Sequence, residues 1–313
     1  MNLFDRRQFI KNSLGTGAAL SLAHATGTAL AAATTPPAKP APLTKNSPGI
    51  IDTNVTLFQW PFRKLKYSET PALVAKLRQH HIIEAWAGSF EALLHKDIAG
   101  VNERLATECR EQAPGFLRPF GTVNLAWADW EEDVRRCHEV HHMPGLRIYP
   151  GYQPFNLKHP GLAPLIAMVR ERGLILQIVF QMEDPRVHHP LIKLETLDAR
   201  PLIAPLQAAP GAKVQLLHFS GNVQGSDLQA LMAETPAHLD LSRWEGNGAI
   251  GRMIGSAPSG SAARVPLERV FFGSHAPYFP VETAVLKLME SPLDRPQLNA
   301  IMQGNARRWL PPV

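Results

Sequence analysis

The chain is poor in cysteine, in long apolar stretches and in clustered charge. Its 313 residues contain two cysteines, Cys109 and Cys137, both in stretches with helical pattern. They could pair in an oxidising compartment, but spacing alone does not supply the geometry a bridge needs, and two buried thiols are expected. The most apolar stretch near the start, residues 14–33, is broken by His24 and several Thr and Gly. It falls short of the roughly 20 apolar residues that hold a permanent membrane span. No basic run occurs, so a nucleic-acid partner is not expected. No glycine-rich phosphate loop follows the first β-rich run, which argues against an open, doubly wound nucleotide-binding sheet.

What is present begins with an address. Asp5-Arg6-Arg7-Gln8-Phe9-Ile10-Lys11 is a twin-arginine pattern, and Ala29, Ala31 and Ala33 offer small-residue cleavage sites. Residues 1–33 are therefore expected to be a signal peptide read by the twin-arginine export machinery, which places the mature protein in the periplasm or otherwise outside an inner membrane. Those residues carry three cations against one acid, so the remainder holds +3 of the chain's formal +5. Residues 34–48, rich in Pro, Thr, Ala and Lys, read as a disordered linker. The remaining 49–313 suit one domain.

From Gly49 onward, short β-rich runs alternate with helical patterns. The runs are Gly49–Val55, Ile82–Ala87, Phe116–Leu125, Gly145–Pro150, Leu174–Phe180, Lys213–Phe219, His238–Ser242 and Arg269–Ser274. Most are near-continuously apolar, as befits strands covered on both faces of a parallel sheet. Amphipathic stretches lie between them, such as Ser68–His80, with Leu73, Val74 and Leu77 on one face. In Asp129–His141, Asp129 is placed to cap, and Glu131 and Arg135 stand at i, i+4. A last helix is expected to start at Asp294 with Pro296 in its first turn. Eight such units predict an α/β fold, a single (β/α)8 TIM barrel, whose site forms where the strands end.

The strand ends carry the candidates. The first run offers Asn54 and Thr56 on one side, then an aromatic wall and a cation in Trp60-Pro61-Phe62-Arg63. Arg147 is a lone charge inside a β pattern, followed by Tyr149. It suits either a substrate carboxylate or an internal salt bridge. Gln177 and Gln181 are spaced to face one side and could orient a substrate or satisfy one another. His218 and His275 sit at strand ends beside Gly and Ser. Glu245 follows the seventh run next to Trp244 and is the expected functional carboxylate.

Four segments carry a resemblance: Ile-Ile-Asp-Thr-Asn-Val-Thr (50–56), Leu-His-Phe-Ser-Gly (217–221), Arg-Val-Phe-Phe-Gly-Ser-His (269–275) and Gly-Asn-Ala-Arg-Arg-Trp-Leu (304–310). The frame resembles the amidohydrolase-related family, TIM barrels that are typically metal-dependent hydrolases, lactonases or decarboxylases of small carboxylated or aromatic molecules. The family usually opens with His-x-His after Ile-Asp and carries Gly-Ser-Asp near its end. Here Asn54 and Thr56 replace the histidines and His275 replaces the aspartate; Gln177 and Gln181 stand near where a further family histidine is common. Of the usual ligands the resemblance carries over only His218.

The resemblance therefore implies a hydrolase acting on a small carboxylated substrate, with a rebuilt or metal-independent site. In that reading Arg63 and Arg147 hold the substrate, His218 and His275 act as acid and base, and Glu245 tunes one of them. A rebuilt site would place one divalent metal, such as zinc, on His218, His275 and Glu245. Two alternatives remain: a decarboxylase or lyase of the same family, and a non-catalytic periplasmic barrel that binds a small molecule. Homo-oligomerisation is compatible with all of them.

Overall fold

The computed structural model describes residues 48–192, 194, 196–219, 226–254 and 265–312. The expected signal peptide, and the expected linker up to residue 47, lie outside the described residues. Eight parallel strands follow one another in order around the sheet: β1 (Ile50–Leu57), β2 (Ile82–Ser89), β3 (Leu117–Gly121), β4 (Gly145–Ile148), β5 (Ile175–Val179), β6 (Lys213–Leu217), β7 (His238–Asp240) and β8 (Val270–Phe271). Helices α1 (Thr70–Gln79), α2 (Ile98–Gln112), α3 (Trp130–Arg135), α4 (Leu162–Glu171), α5 (Ile203–Ala208), α6 (Ser226–Glu234), α7 (Ala249–Ile254) and α8 (Val281–Glu290) alternate with them. The chain then ends in α9 (Arg295–Asn299) and α10 (Asn305–Trp309).

The sheet closes where the chain turns out of β8. The Thr53 amide donates to the Phe272 carbonyl at 2.9 Å, the His275 amide to Asn54 at 2.9 Å, and the Thr56 amide to Ala276 at 3.0 Å. This is the (β/α)8 barrel expected from eight apolar runs. Strands β1, β4 and β5 are buried along their whole length, because helices cover one face and the packed lumen the other.

Several boundaries differ from the sequence expectation, each for a local reason. β3 stops at Gly121 because Asn102 takes over the backbone of Thr122, accepting from its amide at 2.7 Å and donating to its carbonyl at 2.8 Å. Asp129 does not cap α3. It lies in the left-handed region (φ 62°) and makes no capping bond, so its carboxylate is carried away from the first amides. Arg135 pairs with Glu132 (2.7 Å) and Glu139 (2.9 Å) rather than Glu131, two carboxylates on either side of it saturating its fork. The capping expectation at Asp294 holds, with a reciprocal box to Gln297. Cys109 and Cys137 are free and buried, and burial pushes both thiols up. Among the described residues no helix is long and apolar enough to cross a membrane.

The lumen is layered. At its lower end Ile51, Trp86, Phe120, Ile175 and Phe271 form a dry plug, with Trp86 stacked on Phe120 at 5.2 Å. Above it, adjacent strands contribute Arg147, Gln177 and Gln215 in register. At the mouth lie the ends of β1, β6, β7 and β8.

Candidate active site

The middle layer consumes its own polarity. Arg147 donates from Nε to Gln177 Oε1 (2.8 Å), from Nη1 to the Val55 carbonyl (2.8 Å) and Thr56 Oγ1 (3.2 Å), and from Nη2 to the Trp86 carbonyl (3.1 Å). The Gln177 amide in turn donates to the Thr53 carbonyl (2.7 Å) and to Gln215 Oε1 (2.8 Å), and Gln215 to Thr53 Oγ1 (2.7 Å). Gly88 is required here, since a Cβ would meet the Arg147 guanidinium and the Tyr149 hydroxyl at 2.7 and 2.8 Å. A buried network closed on itself rigidifies the barrel and leaves little for a ligand.

The mouth is built differently. A carboxylate that the sequence reading did not single out, Asp240 at the end of β7, accepts the His218 backbone amide at 2.9 Å and the Asn54 side-chain amide at 2.6 Å. Gly273 leaves room for it, because a Cβ there would stand 2.6 Å from Asp240 Oδ2. The Asn54 amide nitrogen is 3.3 and 3.4 Å from the two His218 ring nitrogens, so it is aligned with neither lone pair. The His218 ring is held instead by Ser242 Oγ, 3.2 Å from Nδ1. His218 and His275 pack with ring centroids 3.9 Å apart. Both backbones are left-handed, with φ of 58° and 61°, an uncommon state for a residue with a Cβ.

His275 has a defined tautomer. Its Nε2 lies 2.9 Å from the Met182 carbonyl, an acceptor, so that nitrogen carries the proton. Nδ1 is then a lone pair, buried and without a partner. Burial holds both imidazoles neutral: His275 is pushed down to about 3 and His218 well below the usual imidazole range. Burial pushes the Asp52 carboxyl up to about 7, and Asp240 also upward. Asp52 accepts the amides of Asn54 (3.1 Å) and Ser274 (2.9 Å), fastening the ends of β1 and β8 to one another.

An aromatic roof covers the pair, and His218 and His275 are 1% and 0% exposed. Tyr278 stacks on His275 (4.8 Å, 13° between planes) and donates to Glu183 at 2.5 Å. Trp60 meets Tyr278 edge-on at 5.2 Å, and the Arg63 guanidinium lies 4.7 Å from the Tyr278 ring centre.

The structure thus brings Asn54, His218 and His275 together, with Trp60 and Arg63 in the roof. It uses Arg147 and Gln177 internally, and Tyr149 donates to the Ser89 carbonyl at 3.2 Å. Gln181 does not share the face of Gln177. It lies beyond the end of β5, lining a small separate cavity with Phe180, Pro185 and His188. Glu245 is not at the histidine pair: its side chain is 74% exposed, because it follows the strand by a turn and faces outward. A signal for Asp240 did exist, an acid enclosed in the apolar run Leu239-Asp240-Leu241, the same signal that marked Arg147.

These features define a (β/α)8 barrel with a buried imidazole pair at its C-terminal mouth. The amidohydrolase family profile matches residues 58–311, and the chain belongs to that family. Similar solved structures include 2,6-dihydroxybenzoate decarboxylase complexed with 2,6-dihydroxybenzoate (TM-score 0.61, 16% identity, 84% of this chain and 99% of that one). Another is 5-carboxyvanillate decarboxylase from Sphingomonas paucimobilis (0.65, 13%, 85% and 100%). A third is a Pseudomonas putida protein proposed to be a 2-pyrone-4,6-dicarboxylic acid hydrolase (0.57, 16%, 83% and 97%). At these identities the likeness shows the fold. No curated protein matches the chain by sequence.

The divalent metal common in the family does not fit the donors present. Where β1 would supply two imidazoles, Asn54 turns amide hydrogens toward Asp240, and Thr56 accepts from the cationic Arg147. A cation there would face fixed donors and a like charge. Among the described residues no three His, Cys, Asp or Glu side chains are grouped to hold a metal ion.

Proposed function

We propose that this protein is a hydrolase of the amidohydrolase family that opens a small carboxylated substrate without a divalent cation, using His275 to take a proton from water. The observation that carries this reading is the His275 tautomer. Its one N–H is committed to the Met182 carbonyl, and its free nitrogen can accept a proton but not donate one. A decarboxylase needs a proton delivered to carbon, which this nitrogen is not set to do; hydrolysis needs one removed from water. An imidazole held at about 3 is a weak base in the empty site. A substrate carboxylate beside it would stabilise the imidazolium, so the reading favours an acidic substrate over a neutral one. His218, its ring centroid 3.9 Å away, disfavours a second imidazolium, so the pair takes up a single proton beyond the N–H each neutral ring already carries, and His275 returns that proton to the leaving group.

The test follows proton release from small carboxylated lactones and esters by the purified protein. Release that persists with chelator and disappears in His275→Gln is expected. Carbon dioxide evolution from carboxylated aromatics would replace this reading with the decarboxylase. A binding-only barrel is the second reading, favoured by the nearly complete burial of both imidazoles under Tyr278. It requires that wild type and His275→Gln be equally inert.

A further inference from the structure

We infer that Arg243 is the anchor of this mouth for a carboxylate carried on a flat apolar body. The inference deepens the proposed function and rests on it only for the identity of the mouth as the working site.

The Arg243 side chain is 9% exposed. Its guanidinium nevertheless makes no hydrogen bond among the described residues, and Nε is buried without a partner. The nearest acid, Glu245, stands 3.9 Å from Nε, beyond hydrogen-bond reach. A buried charge is ordinarily paired. The fold meets that requirement elsewhere: Arg147 has four acceptors within the lumen, and Arg307 reaches the buried Glu84 at 2.7 Å. Arg243 has no hydrogen-bonded acceptor of that kind among the described residues, and it sits at the mouth, beside the histidine pair.

Its position suits an anchor. It follows Ser242, which holds the His218 ring, and its guanidinium carbon lies 5.7 Å from the Phe279 ring centre. Phe279 stands edge-on to His275 at 5.1 Å, so one ring separates the unfilled cation from the free imidazole nitrogen. The charge of Arg243 is felt at both His218 and His275, where it helps keep the rings neutral. A ligand anion would relieve that effect where a proton has to be accepted. The planar guanidinium fork matches a carboxylate at two points, and the partly exposed Phe279 ring beside it favours a flat apolar body.

Calorimetric titration of the full-length protein with benzoate, its neutral isostere benzamide and inorganic phosphate tests the inference without any turnover. Benzoate is expected to bind about tenfold or more tightly than benzamide, and Arg243→Met to remove that preference while leaving benzamide unchanged. Arg243→Lys, which keeps the charge but loses the two-point fork, is expected to weaken benzoate about fivefold, and it carries the test if Arg243→Met does not fold. Equal binding of benzoate and benzamide, or benzoate affinity unaltered in either variant, would overturn the anchor. Phosphate bound in preference to benzoate would overturn the carboxylate. Binding as expected with no hydrolysis of any substrate would sink the proposed reaction and leave the anchor standing.

Discussion

Two adjacent layers of one lumen contrast in how they treat buried polarity. In the middle layer Arg147, Gln177, Gln215 and Thr53 answer one another's donors and acceptors. At the mouth, Asn54 Oδ1, His275 Nδ1, Arg243 Nε and Glu183 Oε1 are all buried and unanswered. Both layers are built from residue types that sequence reading treats alike. The difference teaches that a polar side chain in a barrel is a candidate for function when its partners are missing, and a strut when they are complete.

The contrast can be broken by substitution, one layer at a time. Arg147→Met orphans four acceptors, and a loss of about 3–5 kcal/mol in urea unfolding is predicted. A loss under 1 kcal/mol would mean that the middle layer is not a strut. His275→Gln is predicted to lower turnover about a thousandfold while stability stays within about 1 kcal/mol of wild type. If stability fell as far as in Arg147→Met, the two layers would not differ in kind.

Titration sharpens the same comparison. Below pH 6.5 the unfolded chain protonates His275, whereas the folded imidazole stays neutral down to about 3, so stability falls as pH falls through that window. Asp52 acts in the opposite sense. The folded carboxyl keeps its proton up to about 7 and the unfolded one loses it near 3.8, so stability falls as pH rises between them. His218 adds to the first slope and Asp240 to the second. The wild-type profile is therefore predicted to be shallow between about pH 4 and 6.5, with Asp52→Asn unmasking a rise toward pH 6.5 of about 1.4 kcal/mol per unit. Urea midpoints at pH 4.5 and 6.5 check this, and an unmasked slope of the opposite sign would refute the neutral histidines. The smallest effect belongs to Glu245→Gln. Its outward-facing side chain predicts turnover within about twofold of wild type.

Much of this was legible in the chain. All eight apolar runs became strands, because a strand covered on both faces writes its burial as continuous hydrophobicity. Asn54, His218 and His275 were findable as strand-end residues. The carboxylate beside the pair, Asp240, was marked only by its enclosure between Leu239 and Leu241, whereas the adjacency to Trp244 and glycine that pointed to Glu245 says nothing about facing. Asp240 keeps the inward alternation with Ser242, while Glu245 has already left the strand. Arg147 and Arg243 could not be told apart in sequence either. Whether a guanidinium is satisfied depends on acceptors some 30 to 92 residues away, such as Gln177, Trp86 and Val55.

The left-handed turns at His218 and His275 bear on how such a site changes over time. Asn and Asp, like His, enter that backbone region more readily than other residues with a Cβ. The chain at 275 is therefore a socket shaped for a short polar residue, fixed by the hydrogen bond from its backbone amide to the Asn54 carbonyl whatever side chain it carries. Carboxylate, amide and imidazole can be exchanged in that socket with the strand unmoved. A barrel of this kind can trade one chemistry for another by single substitutions, its scaffold indifferent to the exchange.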